Sequence, residues 1–312
     1  MSSPSFLPAR IPLIVAPVTP FTPEGDLSLG VVEALAGWVV RQGVDGVFVN
    51  GTTGESHSLT AIERMQLAER WVEVLRGGPL RCIIHVGSNC LREGRELAAH
   101  AQRIGATGIA ALAPSYFRPA DVGTWVDCAA AVAAGAPGLP FHAYDLPAMT
   151  GIHLASDRFL VEATRKIPTL AGLKFSNPDL MLLQRCVAAL GEGQELLFGC
   201  DEQLLPAVAL GATGAVGSTY HLATPLFRTL QAAASAGDWP RARRLQGHAL
   251  RMVEILSRFG YLGSLKAVLA QQGIPVGPVR LPLRSPTFDE QGGLLAAWEA
   301  WVAERENLGA NS

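Results

Sequence analysis

Lysine is scarce in this chain: of its 25 basic residues only three are lysines, Lys166, Lys174 and Lys266. Amine chemistry therefore has very few candidates. Cysteine is sparse as well, at five residues (Cys82, Cys90, Cys128, Cys186 and Cys200), with no C-x-x-C pair among them. An odd number without paired spacing argues against a disulfide framework and against a zinc site, so free thiols packed as small hydrophobes in a reducing cytosol are expected. The seven histidines form no H-E-x-x-H or H-x-H arrangement, and no metal is expected. A net charge of −2 leaves no polybasic patch for nucleic acid. No apolar run approaches the roughly 18 residues of a membrane span. The opening residues lack a basic region ahead of an apolar stretch, so they do not read as a secretory signal.

What is present is apolar bulk: 49% of residues are hydrophobic and 17% charged, which excludes disorder and supplies a large core. Eight apolar runs punctuate the first two thirds of the chain, at 11–18, 46–51, 81–87, 108–114, 139–147, 169–176, 195–200 and 214–218. Continuous apolar runs of this length suit parallel strands buried on both faces. Amphipathic stretches separate them, with recognisable helix starts. Thr60-Ala-Ile-Glu63 reads as a capping box, and Asn177-Pro178-Asp179 as an N-cap followed by a helix-opening proline. Eight βα units in series predict a closed (β/α)8 TIM barrel over residues 8–236, with a doubly wound open sheet as the alternative. After about residue 225 the strand signal stops, and residues 237–312 read as a C-terminal helical appendage.

Barrel enzymes work at the carboxyl ends of their strands, so polar residues interrupting those ends mark the candidate site. Lys174 closes the sixth apolar run. Burial lowers a lysine's pKa, and a neutral amine attacks ketones; the bland alternative is a lysine reaching out to solvent. Tyr144 closes the fifth run, where a phenol can shuttle a proton or merely plug the barrel mouth. Gly51-Thr52-Thr53-Gly54-Glu55 follows the second run as a small anion cradle without the ending of a phosphate loop. Gly199-Cys200-Asp201-Glu202 and Gly217-Ser218-Thr219 end the seventh and eighth runs; the acids suit sugar hydroxyls, or Asp201 caps a helix. Lys166 and Lys266 read as ordinary surface or packing lysines.

At GTTGE, YDLPAMTG, GLKFS and GCDEQLLPAVALGATGAVGSTY the chain resembles the pyruvate-dependent class I aldolases, the family of dihydrodipicolinate synthase and N-acetylneuraminate lyase. The resemblance runs from about residue 10 to 285, and the lyase branch fits better. Met149 stands where the synthase branch carries an arginine for a second carboxylate. The resemblance implies a Schiff base between Lys174 and a 2-keto acid, with no cofactor, and cleavage of N-acetylneuraminate to pyruvate and N-acetylmannosamine. It implies Tyr144 as the proton carrier and Thr52 and Thr53 as holders of the carboxylate. Ser176, Gly199, Asp201, Glu202 and Ser218 would contact the polyhydroxylated tail. Tyr116 would reach the site of a neighbouring subunit in a cytoplasmic homotetramer built as a dimer of dimers. Asp145, beside the tyrosine, departs from relatives, and with it His142 and Ala143; a carboxylate beside the sugar tail would alter which aldehyde is accepted. A sibling aldolase for another 2-keto-3-deoxy sugar acid, a dihydrodipicolinate synthase, and a silent barrel that senses a sugar acid are the competing readings.

Overall fold

A computed structural model describes residues 10–310, with side chains to residue 305. The expected start of the barrel at residue 8 and the last two residues of the appendage lie outside the described residues.

Eight parallel strands close on themselves in chain order: β1 (Leu13–Val15), β2 (Gly46–Val49), β3 (Arg81–His85), β4 (Gly108–Leu112), β5 (Phe141–Asp145), β6 (Leu170–Phe175), β7 (Glu195–Phe198) and β8 (Gly214–Gly217). Closure is made by β1 against β8, with Ile14 opposite Val216. Each strand lies inside one of the eight apolar runs. The open-sheet alternative is thereby excluded. Helices α1 (Val32–Gln42), α2 (Ala61–Leu75), α3 (Leu91–Ile104), α4 (Val122–Ala133), a single turn α5 (Pro147–Thr150), α6 (Ser156–Lys166), α7 (Leu180–Ala189), α8 (Leu204–Ala209) and α9 (Tyr220–Ser235) alternate with the strands. Three more follow: α10 (Trp239–Arg258), α11 (Tyr261–Gln271) and α12 (Phe288–Ala310).

The strands are apolar on both faces because each has two neighbours to satisfy. Outward residues such as Val47, Ile84, Ile109 and Phe175 join the layer shared with the helices, whereas Ile14, Phe48, Ile83, Ala110, Tyr144, Leu197 and Val216 fill the barrel interior. At the amino end the interior is polar: Glu195 accepts from Arg81 at 3.0 Å and lies 2.8 Å from His142 Nε2. His142 is thus part of the barrel's lower plug, and alternation sends Ala143 to the opposite face.

The capping box of α2 forms as expected, Thr60 Oγ1 accepting from Glu63 N at 3.2 Å while Glu63 accepts from Thr60 N at 2.9 Å. The cap of α7 does not. Asp179 is the N-cap, accepting from Leu182 N at 2.9 Å, and Pro178 precedes the helix. The Asn177 amide is engaged elsewhere, donating to Asp145 Oδ2 at 3.1 Å. In the appendage, Trp301 on α12 donates to His248 O on α10 at 2.9 Å and stacks on that histidine.

Candidate active site

A cleft of about 740 Å³ opens at the carboxyl ends of the strands. Thr52 and Thr53 from the loop after β2, Tyr144 from β5, Ser176 after β6, Gly199, Asp201 and Glu202 after β7, and Ser218 after β8 all line it. The loops that the sequence singled out therefore converge on one space, although they lie up to 166 residues apart in the chain.

Lys174 and Tyr144 are register partners on neighbouring strands, so their side chains leave the sheet on the same face. The Lys174 amine lies 4.0 Å from the Tyr144 ring centroid and 3.8 Å from that of Phe48. Lys174 is 3% exposed and is not itself part of the cleft lining, whereas Tyr144, whose ring its amine contacts, is. No salt bridge among the described residues involves Lys174, and the burial of its charge is offset by the two ring faces, the tyrosine hydroxyl and the more distant Asp201 and Cys200. Desolvation accordingly lowers its pKa from the ordinary 10.5. The Tyr144 hydroxyl lies 3.4 Å from Thr52 Oγ1. Its ring is held edge-on by Phe48 and His85, at 5.7 and 5.9 Å between centroids.

The far wall is polar. Asp201 does not cap a helix: its Oδ2 accepts from Thr219 N at 3.0 Å and from Thr219 Oγ1 at 2.6 Å. Burial raises its carboxyl from 3.8 to about 6. Two glycines leave room for this wall. A Cβ on Gly217 would sit 1.8 Å from Asp201 Oδ1, and one on Gly199 would sit 1.9 Å from Ser176 Oγ. Ser218 Oγ lies 2.6 Å from the hydroxyl of Tyr261, a residue of the appendage that the sequence reading did not single out. Leu262, Leu283 and Arg284 come from the same region and also line the cleft. Nothing local in the sequence marks them.

Two expectations change. Asp145 does not face the cleft; it follows Tyr144 by one residue, points to the other side of the strand, and accepts from Ser156 Oγ at 2.9 Å. Strict alternation along β5 would have revealed this. Of the surface and packing alternatives for Lys266 the surface one falls: the residue is 2% exposed and ion-paired with Glu55 at 2.8 Å. Lys166, by contrast, is exposed and pairs with Asp127. Tyr116 stands apart from the cleft, 79% exposed in the loop after β4 and packed edge-on against Phe117. Met149 lines the cleft from α5. No cluster of three or more metal-binding side chains occurs among the described residues, and no helix among them is long and apolar enough to cross a membrane. All five cysteines are free, Cys82 and Cys186 buried and Cys90 exposed.

A cleft built from the strand ends of a closed parallel barrel defines a (β/α)8-barrel enzyme. The chain belongs to the dihydrodipicolinate synthetase family, whose model matches residues 10–300. N-acetylneuraminate lyase of Sus scrofa is 41% identical over 276 residues, covering 87% of this chain and 86% of the relative. That of Gallus gallus is 42% identical over 275 residues, covering 87% and 89%. Among solved structures, Proteus mirabilis N-acetylneuraminate lyase superposes with a TM-score of 0.90 at 34% identity, covering 94% of this chain and 98% of that one. A dihydrodipicolinate synthase of Cyanidioschyzon merolae with lysine bound gives 0.87 at 30% identity, covering 93% and 97%.

Proposed function

We propose that this protein is a Schiff-base aldolase that cleaves N-acetylneuraminate to pyruvate and N-acetylmannosamine. The observation that carries the reading is the Lys174 amine, buried without a salt-bridge partner among the described residues and in contact with the ring of the tyrosine that lines the cleft. Burial favours the uncharged amine, which is the nucleophilic form.

The positions support the following course. A turn of the lysine stem brings the amine to the C2 carbonyl of a substrate in the cleft. Addition forms the C–N bond, and loss of water leaves an iminium. Thr52 and Thr53 hold the substrate carboxylate with their hydroxyls and backbone N–H groups. Tyr144, 3.4 Å from Thr52, takes the proton of the C4 hydroxyl. The C3–C4 pair then flows into the iminium, the C4 aldehyde leaves as N-acetylmannosamine, and an enamine remains on Lys174. Protonation at C3 and attack by water return the free amine and pyruvate. An iminium accepts these electrons far better than a ketone, so the covalent step does the work without an added cofactor. Ser176, Gly199, Asp201, Glu202 and Ser218 hold the hydroxylated tail.

The working unit is a cytoplasmic homotetramer, a dimer of dimers, in which Tyr116 serves a neighbouring subunit's cleft. Its exposure beside Phe117 supports an interface there. A fully active monomer in light scattering would remove that role.

The synthase reading is disfavoured by Met149, which offers the cleft a thioether where a second substrate carboxylate would need a guanidinium. Pyruvate release measured across N-acetylneuraminate, other 2-keto-3-deoxy sugar acids and the synthase substrates tests the assignment. Preference for N-acetylneuraminate supports it; turnover no better than for the others rejects it. Borohydride treatment with pyruvate should add mass at Lys174, and Lys174→Ala should lose both adduct and turnover while remaining folded. A silent sensor would give no turnover at all.

A further inference from the structure

Glu55, the last residue of the Gly-Thr-Thr-Gly-Glu loop, has no role in the chemistry above, and its backbone takes the left-handed region at φ 56°. Side chains seldom tolerate that region without support. The support comes from the far end of the chain. Glu55 Oε1 lies 2.8 Å from Lys266 Nζ on α11, with side-chain exposures of 0% and 2%. The same amine donates to Pro278 O at 2.6 Å and lies 4.3 Å from the Phe21 ring centroid. Glu55 Oε2 accepts from Arg280 N at 2.8 Å. The Arg280 side chain then fastens this segment to the barrel, donating to Gly25 O at 2.8 Å and Ser58 O at 2.9 Å and pairing with Glu63. Shortly beyond Arg280, residues Pro282, Leu283 and Arg284 form one wall of the cleft, while Thr52 and Thr53, just before Glu55, form another.

A buried ion pair is a poor source of net stability, because desolvating two charges cancels most of their attraction. What it supplies is geometry. We propose that the Glu55–Lys266 pair is a positioning element through which the C-terminal helices set the Thr52–Thr53 loop to receive the substrate carboxylate. Neither residue lines the cleft, so the pair acts through the loop backbone and not on the substrate. This inference rests on the imine-forming reading of Lys174.

The test compares borohydride trapping on Lys174 by pyruvate and by methyl pyruvate, an ester that lacks the negative charge. Lys266→Met keeps the length of the side chain and removes the amine. Glu55→Gln combined with Lys266→Met removes both charges and leaves none unpaired, so it folds even where the single variant does not. In a variant with native circular dichroism, the preference for pyruvate over its ester should fall about tenfold, the scale of one lost hydrogen bond to a charged group. A folded variant, single or double, that keeps the parent's preference overturns the proposal, because a purely structural pair would not touch carboxylate recognition. If neither ketone is trapped by the unmodified protein, the aldolase reading falls and this inference with it. If pyruvate is trapped and the preference is unmoved, only the positioning role falls.

Discussion

Replacing Lys174 by methionine should abolish imine formation and at the same time make the protein more stable. The side chain is 3% exposed, has no salt-bridge partner among the described residues, and is held by ring faces at 3.8 and 4.0 Å. A buried polar group with incomplete hydrogen bonding costs about 1–3 kcal/mol. The ring contacts offset part of that cost for the ammonium, by about 0.5–2 kcal/mol. Methionine keeps favourable contact with the same rings and has no charge to desolvate. A net gain of about 1 kcal/mol at neutral pH is expected, seen as a rise of a few degrees in melting temperature. The pH dependence fixes the cause. Because the folded pKa is lowered from 10.5, the unfolded state binds the proton more tightly. The penalty in the parent is therefore fully present below the folded pKa, and it is relieved as pH rises through that value towards 10.5. The advantage of Lys174→Met should be largest in mildly acidic buffer and vanish in alkaline buffer. Melting curves of both proteins across that range, paired with borohydride trapping, make the measurement. A variant less stable than the parent at every pH, or an advantage that grows with pH, would refute the account of a strained buried amine.

Four further outcomes follow from the far wall and the rim. Burial raises the Asp201 carboxyl to about 6, so it passes from a charged acceptor of sugar hydroxyls to a weaker neutral one as pH falls through that value, and KM for the sugar acid should rise there. Since that pKa is raised above 3.8, ionisation subtracts stability as pH rises through about 6, and Asp201→Asn should melt above the parent at neutral pH and converge with it below 3.8. Gly217→Ala forces a methyl to within 1.8 Å of a buried carboxylate oxygen; it should cost about 1–3 kcal/mol in chemical denaturation and most of the turnover, and a wild-type profile would contradict the tight approach of that wall. Met149→Arg places a guanidinium in the cleft lining and should raise the rate at which aldehydes that bear a carboxylate are condensed with pyruvate, relative to N-acetylmannosamine, in a paired-substrate assay.

The barrel was legible because its strands are buried on both faces: runs such as those around β2, β6 and β8 have no polar alternation to hide them, and each contains the strand it announces. The candidate site was legible for the related reason that a polar residue closing such a run lies at the carboxyl end of the barrel, where Tyr144 lines the cleft and Lys174 is buried against its ring. The helix starts at Asp179, whose carboxylate accepts from Leu182 N, while the Asn177 side chain closes a local turn by accepting from Asp179 N and donates its amide to Asp145. The direction of Asp145 was open to inference from alternation, yet its partners Ser156 and Asn177 were not.

Local pattern by itself determined the eight-fold βα architecture and put forward the ends of the second, fifth and sixth strands as places to look for a site, since each depends on residues adjacent in sequence. Only the tertiary structure decided that Lys266 is buried against Glu55, that Tyr261 joins Ser218, and that the appendage walls the cleft. Those contacts join segments from 43 to 211 residues apart in the chain. Chain closure over such distances is set by packing of the whole molecule, and no local propensity records it.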